Sequence, residues 1–276
     1  MLNGSGIPKI RDLRFLRGGA TPARWWLRGD PVATAWFNAL SGTFPRGEAF
    51  FIEAVKAHRD GASPRLAEQI RAFVQQEINH TREHLALNRV ASESGYDMTA
   101  IDQGVAEMIA QLAGRPPILD LAATMALEHY TAMMAHELLT HPDELAGADP
   151  EIGRLWRWHA IEEIEHKGVA FDTWLHATRE WSSWRRWRVR SLMMLVVTRN
   201  FLMRRIADTI DLLGQDGISR NDARRRVLAY LIWKPGVLRR ILPAWLGYFR
   251  PGFHPWATDD RALIAPVDSE LRQAAE

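Results

Sequence analysis

"WHAIEEIEHKGVAFD" (residues 158–172) places three glutamates and two histidines within eight positions of a stretch whose apolar residues recur at helical spacing. On a solvated helix face such charges cost nothing. On a face turned to the core they are expensive unless something pairs with them. Glu163 and His166 are three apart and share a face, His159 lies on the same side four residues earlier, and the stripe continues through Trp156, Ala170 and Thr173. Glu163 and His166 are therefore expected to point inward and Glu165 outward, with Glu162 on the border as an alternative to Glu163.

The spacing recurs in "QQEINHTREH" (residues 75–84), where Glu77 and His80 are three apart and His84, seven after Glu77, falls within about 20° of it at 100° per residue. The same stripe carries Ile70, Phe73 and Leu87. Two further stretches each put one acid into an apolar stripe: Glu48 with Phe44, Phe51, Ile52 and Val55, and Glu128 with Leu121, Thr124, Met125, Ala132 and Ala135. His129, beside Glu128, falls off that face.

These segments read as four long helices. The first starts at "FPRGEAFFIEAVKAHRD" (44–60) with Pro45 in its first turn. The second runs from Ser63, an N-cap, and Pro64 to Gly95; the third covers 118–140 and the fourth about 150–179, with a connecting helix over 98–113 stopped by "GRPP". Strand-spaced alternation is scarce, so the fold class is all-α. A longer link between the second and third helices is the connectivity of a bundle with a crossover. We divide the chain into an N-terminal segment (1–40), a di-metal helical bundle (41–180) and a basic Trp/Arg-rich helical extension (181–276).

Read in order, the inward residues are Glu, Glu-x-x-His, Glu, Glu-x-x-His over four successive helices, the set with which helical bundles hold two iron or manganese ions. One Glu-x-x-His is common on a solvated face; two, each preceded by a helix with an inward glutamate, are not. Carboxylates offset the charge of two divalent cations and imidazoles add nitrogen donors, so metal removes the penalty of burying the set. The chain has no cysteine, which excludes disulfides, thiolate zinc sites, iron–sulfur clusters and a cysteine nucleophile. Any metal must then use His and carboxylate ligands, with iron expected and manganese or zinc as alternatives. His84 and His159 are candidates either as extra ligands or as residues supporting the ligands.

Four of these stretches, "FPRGEAFF", "QQEINHTREH", "ALEHYTA" and "WHAIEEIEHKGVAFD", together with "FRPGFHPW" (249–256), resemble the bacterial proteins named "predicted metal-dependent hydrolase", within the wider ferritin-like di-metal class. The resemblance spans residues 40–257. It implies a ferritin-like four-helix bundle with Glu48, Glu77, His80, Glu128, Glu163 and His166 as metal ligands; His84 and His159 depart from the plain ferritin-like set. The family name itself implies hydrolysis.

Charge is unevenly distributed. Residues 1–180 carry 18 basic and 24 acidic side chains, whereas 181–250 carry 15 and 4. In the basic part Trp181, Trp184 and Trp187 lie beside arginines that flank "SLMMLVV" (191–197) on both sides. Such a segment either packs on the acidic bundle or meets an anionic bilayer from the cytoplasmic side. Nucleic acid is a poor partner, because the arginines alternate with large aliphatics and form no polar recognition face. The N-terminus lacks the apolar core of a signal peptide, and no stretch reaches the roughly 18 uncharged residues of a membrane span. A cytoplasmic location, with possible contact at the inner face of the membrane, is the expectation. "FRPGFHPW" reads as a proline-locked turn with His254 structural.

Three functions follow from this set. The first is a di-iron enzyme that activates O2, an oxygenase, oxidase or desaturase acting on an apolar or lipid-like substrate and fed by an electron donor. The alternative is a metal-dependent hydrolase using metal-activated water, for which His84, His159 and Lys167 are the candidate acids or bases. The third is a non-enzymatic iron-binding protein.

Overall fold

The computed structural model describes residues 6–18 and 21–273, and among these the regular structure is helical, with no strand beyond one isolated bridge between Leu27 and Ala148. The sequence expectation of an all-α protein holds. The bundle begins with α1 (Pro31–Ser41), capped by Asp30, whose carboxylate accepts from the Val32 and Ala33 amides. Every residue of α1 from Val32 onward is buried. It is a core helix without a solvent side, whose buried polar residues Thr34, Asn38 and Ser41 are hydrogen-bonded.

Four elements then surround a common interior. These are α2 (Phe44–Lys56), α3 (Pro64–Glu93), α5 (Pro117–Thr140) and the consecutive pair α6 (Pro150–His166) and α7 (Val169–Ala177); α4 (Thr99–Ala110) crosses between α3 and α5. The start and end signals of α3 act as expected. The Ser63 hydroxyl accepts from the Leu66 amide, Pro64 occupies the first turn, and Gly95 takes a left-handed conformation, φ 99°. The fourth helix differs from expectation, because it breaks at Lys167–Gly168 and does not run unbroken to 179. At the break the Trp256 indole packs so closely on Gly168 that a Cβ there would lie 2.5 Å from its Nε1.

Beyond residue 180, α8 (Ser183–Gln215) is about 50 Å long by its rise per residue. It lies across α1 and α5. α9 (Arg220–Ile232) folds back on α8, α10 (Val237–Gly247) lies on α5 and α9, and α11 (Ile264–Gln273) packs on α6. Part of the basic segment is turned inward: Trp187 Nε1 donates to the Phe249 carbonyl, and Arg190 donates to the carbonyls of Arg250 and Phe253, fastening the "FRPGFHPW" turn. The opposite face of α8 exposes Leu192, Leu195 and Val196 between Arg188 and Arg199, and Met203 one turn beyond. No helix among the described residues is long and apolar enough to cross a membrane.

Two apolar cores form. One gathers α1 with Phe44, Leu87, Tyr130 and Trp158; the other gathers Phe51, Phe73, Met125 and Val169. In every helix of the ring the expected ligand lies between a residue of one core and a residue of the other: Glu48 between Phe44 and Phe51, Glu77 and His80 between Phe73 and Leu87, Glu128 between Met125 and Tyr130, Glu163 and His166 between Trp158 and Val169. A polar layer crosses the protein interior at one level.

Candidate metal centre

The structure brings all six expected residues, with His84 and His159, into that layer. Glu77, His80, His84 and His166 have no exposed surface; Glu48, Glu128, His159 and Glu163 have at most 4%. An isolated carboxylate in such a place costs several kcal/mol. The layer holds four, together with Glu162 behind them.

Two groups of donors can be distinguished. In the first, single atoms of Glu77, His80, Glu163 and His166 all lie within 4.8 Å of one another. His166 Nδ1 is 3.1 Å from a Glu77 oxygen and 3.6 Å from one of Glu128, and His166 Nε2 is 3.4 Å from Glu163. The second group is Glu48, His84 and His159, again within 4.8 Å. His159 Nε2 lies 3.0 Å from Glu163 Oε1, so Glu163 touches both groups. Glu128 belongs to neither at that distance and adjoins the first through His166.

Orphaned atoms test whether this set fits a cation. Both oxygens of Glu77 and of Glu128, Glu48 Oε1, His80 Nδ1 and both ring nitrogens of His166 are buried without a hydrogen-bond partner. Buried polar groups are almost always partnered, and this many exceptions in one place call for an ion. A second test comes from outside the layer. The Asn88 amide nitrogen donates to the Ser41 carbonyl, 3.2 Å, so its oxygen faces the Ser41 hydroxyl and accepts from it, 2.7 Å. The Ser41 oxygen must then accept from His84 Nδ1–H, 2.9 Å, leaving His84 Nε2 to accept from His159 Nδ1–H, 2.8 Å. What remains is the His159 Nε2 lone pair, aimed at the Glu163 carboxylate. Two acceptors face each other across 3.0 Å, and a cation between them resolves the conflict. Oxygen and imidazole donors without thiolate suit iron, manganese or zinc.

Electrostatics divide the residues further. Burial and the Glu77 charge push the Glu48 carboxyl well above its ordinary range, and burial does the same for Glu128. Burial would also raise Glu77 and Glu163, but His166 foremost outweighs it and both are lowered. Burial would lower His80 and His166, yet their carboxylate neighbours win and both are raised. Burial lowers His84 and His159, each made worse by a neighbouring histidine, so both are neutral.

Glu162 is not the stand-in for Glu163 that its border position allowed. It accepts from His80 Nε2, 3.1 Å, and from Trp158 Nε1, 3.0 Å, with Arg11 Nη1 at 3.4 Å behind it. This turns His80 Nδ1 to the interior, as a carboxylate behind a metal-binding histidine does. Glu165 is not free in solvent either: Arg11, Gln76 and the Lys9 amide hold its carboxylate under the N-terminal segment. Lys167, a candidate acid or base, is turned away and donates to Asp260 and the Thr258 carbonyl. His129 lies off the layer as expected, stacked on Tyr248, and His254 bonds Asp172.

Several participants escaped sequence reasoning. Thr81 donates to Glu48, 2.8 Å, and Thr131 to Glu163. Thr131 sits three after Glu128, and Asn88 four after His84, so helical spacing would have found both; Ser41 and Arg11 carry no local signal. An apolar cavity of about 50 Å³ reaches Glu163 and His159 past Leu40, Phe44, Met134 and Thr131.

A family model described as "Predicted metal-dependent hydrolase" matches residues 9–259. No curated protein and no solved structure matches the chain.

Proposed function

The chain belongs to the predicted metal-dependent hydrolase family, and from that membership we propose that it hydrolyses an ester bond in an apolar or amphipathic substrate at the buried carboxylate–histidine layer. The observation that carries this reading is the set of unpartnered buried donors on Glu48, Glu77, His80, Glu128 and His166, adjoining Glu163 and His159, which line an apolar cavity. Glu77, His80, Glu163 and His166 would hold one divalent ion, and Glu48, His84 and His159 the other, with Glu128 adjoining. Divalent ions bound there would polarise the ester carbonyl and bring the pKa of water toward about 7.

The protein's own residues supply the rest. Glu162 and the Asn88–Ser41–His84 chain fix the ring nitrogens that face inward. Leu40, Phe44 and Met134 exclude bulk water and receive the apolar part of the substrate. The exposed face of α8 between Arg188 and Arg199 supports collection of such a substrate at an anionic lipid surface.

The O2-activating chemistry put first from sequence now ranks second, since the family description favours hydrolysis. One observation keeps it in view: the cavity beside Glu163 has no Lys or Arg among its lining residues to hold an ester oxygen. Reconstitution of metal-free protein with iron, manganese or zinc separates the two. Hydrolysis predicts turnover of apolar esters under argon with one ¹⁸O taken from labelled water. Product formation that requires O2 and a reductant would replace the hydrolase reading.

A further inference from the structure

A second apolar cavity, of about 160 Å³, lies between α2, α4, α5 and α8. Its lining along α8 runs from Met193 to Arg205, about 18 Å by helical rise. This shape fits a narrow chain better than a ring system. Its outer wall is thin, since α4 buries only Ile101 and Val105 and lends Met108 and Ile109, both half-buried, to the cavity.

Three arginines line the cavity: Arg204 is bonded to the Gly104 carbonyl, Arg205, its Nε unpartnered, is held by Asp208 and the Ala39 carbonyl, and Arg115 lies apart from both in sequence, ahead of α5. The Nε of Arg115 is paired with Asp120, but its Nη2 is buried with no hydrogen-bond partner. Away from it, Phe44 and Thr131 line both this cavity and the smaller one that reaches the metal centre, and Thr131 donates to Glu163. Asp120 and Thr131 are separated by about 16 Å along α5.

We infer that this cavity binds a single-chain alkyl carboxylate, head group on Arg115 and chain directed along α8 toward Thr131. The unpartnered Nη2 supplies a charge-assisted hydrogen bond to the carboxylate, and Leu112, Leu127 and Val197 cover the chain. Identifying the ligand as substrate rests on the proposed function and adds a constraint: the reacting bond lies at the end of the chain remote from the anion.

Binding can be read without turnover. Calorimetric titration of the full chain, metal-free and metal-loaded, with decanoate is expected to show one saturable site, with decanol binding about tenfold more weakly. Arg115→Gln should weaken decanoate about tenfold and leave decanol unchanged. Ile109→Trp, placed on the half-exposed wall, should abolish both, and Leu112→Trp repeats the block at a second position, each checked for an unchanged helical spectrum. Unsaturable binding, or decanoate bound equally by the wild type and by folded Arg115→Gln and Ile109→Trp variants, would overturn the assignment. Ester turnover plays no part in these readouts, so they stand or fall apart from the hydrolase reading.

Discussion

His84 and His159 meet across the interface of α3 and α6, Nε2 of the first 2.8 Å from Nδ1 of the second, and the direction of the proton between them is dictated by Asn88 on the far side of Ser41. The lone pair that results on His159 Nε2 is aimed at the metal layer. Ser41→Ala removes the acceptor for His84 Nδ1–H and frees both rings to change tautomer. The expected outcome is a 10- to 100-fold loss of metal affinity, in the range seen for residues behind metal ligands, measured by competition with a chelator. Unchanged affinity would show that the histidine pair lies outside the coordination sphere.

Glu162→Gln should resemble Ser41→Ala, lowering affinity roughly 10-fold or more while the number of ions bound stays the same, because His80 loses its carboxylate partner but remains. Glu163→Gln should behave differently and reduce the stoichiometry, since Glu163 touches both donor groups. Metal analysis of the two variants side by side distinguishes the adjacent acids.

Metal loading should release protons. Glu48 and Glu128 are raised by burial, and His80 and His166 by surrounding carboxylates. Raised values mean that all four hold their protons to higher pH than free side chains do, so cations must displace protons to fill the centre. Affinity then rises with pH and falls on acidification. Titrations in buffers of different ionisation heat give the count, which Glu128→Gln should reduce by about one. A count near zero would mean that these groups are already ionised.

Arg11 is buried against Glu162, Glu165 and Asp268. Arg11→Gln leaves those acids without their cation and should destabilise the fold by about 2–3 kcal/mol, toward the lower end for a broken buried pair because Glu165 and Asp268 retain some solvent. Thermal denaturation of metal-loaded protein is the measurement; a change under ~0.5 kcal/mol would make the segment an ornament.

The exposed apolar face of α8 should bind anionic vesicles. Sedimentation with phosphatidylserine vesicles is expected to weaken severalfold in the double variant Leu195→Ser, Val196→Ser and in high salt, because apolar insertion and arginine attraction act together. Equal recovery from neutral and anionic vesicles would remove the arginines from the account.

The inward placement of the two Glu-x-x-His pairs was legible because helical periodicity is local: two residues three apart must be neighbours whatever the rest of the chain does. For the same reason Ser63, Pro64 and Gly95 marked the ends of α3. Features written by distant contacts were not legible. Trp256 packs against Gly168 at the break between α6 and α7, Arg11 covers Glu165, and a serine in another helix sets the tautomer of His84. Glu162 looked like a competitor of Glu163 because a helical projection gives angles and not neighbours. The full burial of α1 depends on α8, whose length and course only three dimensions reveal.

Lys9 and Arg11 grip Asp268 in α11, and the same Arg11 reaches Glu162 behind His80. The chain's two extremities are thus laced together at the back of the metal layer. A fragment trimmed to the four ligand-bearing helices would retain every expected donor yet lose the clasp that sets the angle of one of them. Expression trials and gene fusions should therefore keep residues 9–268 together.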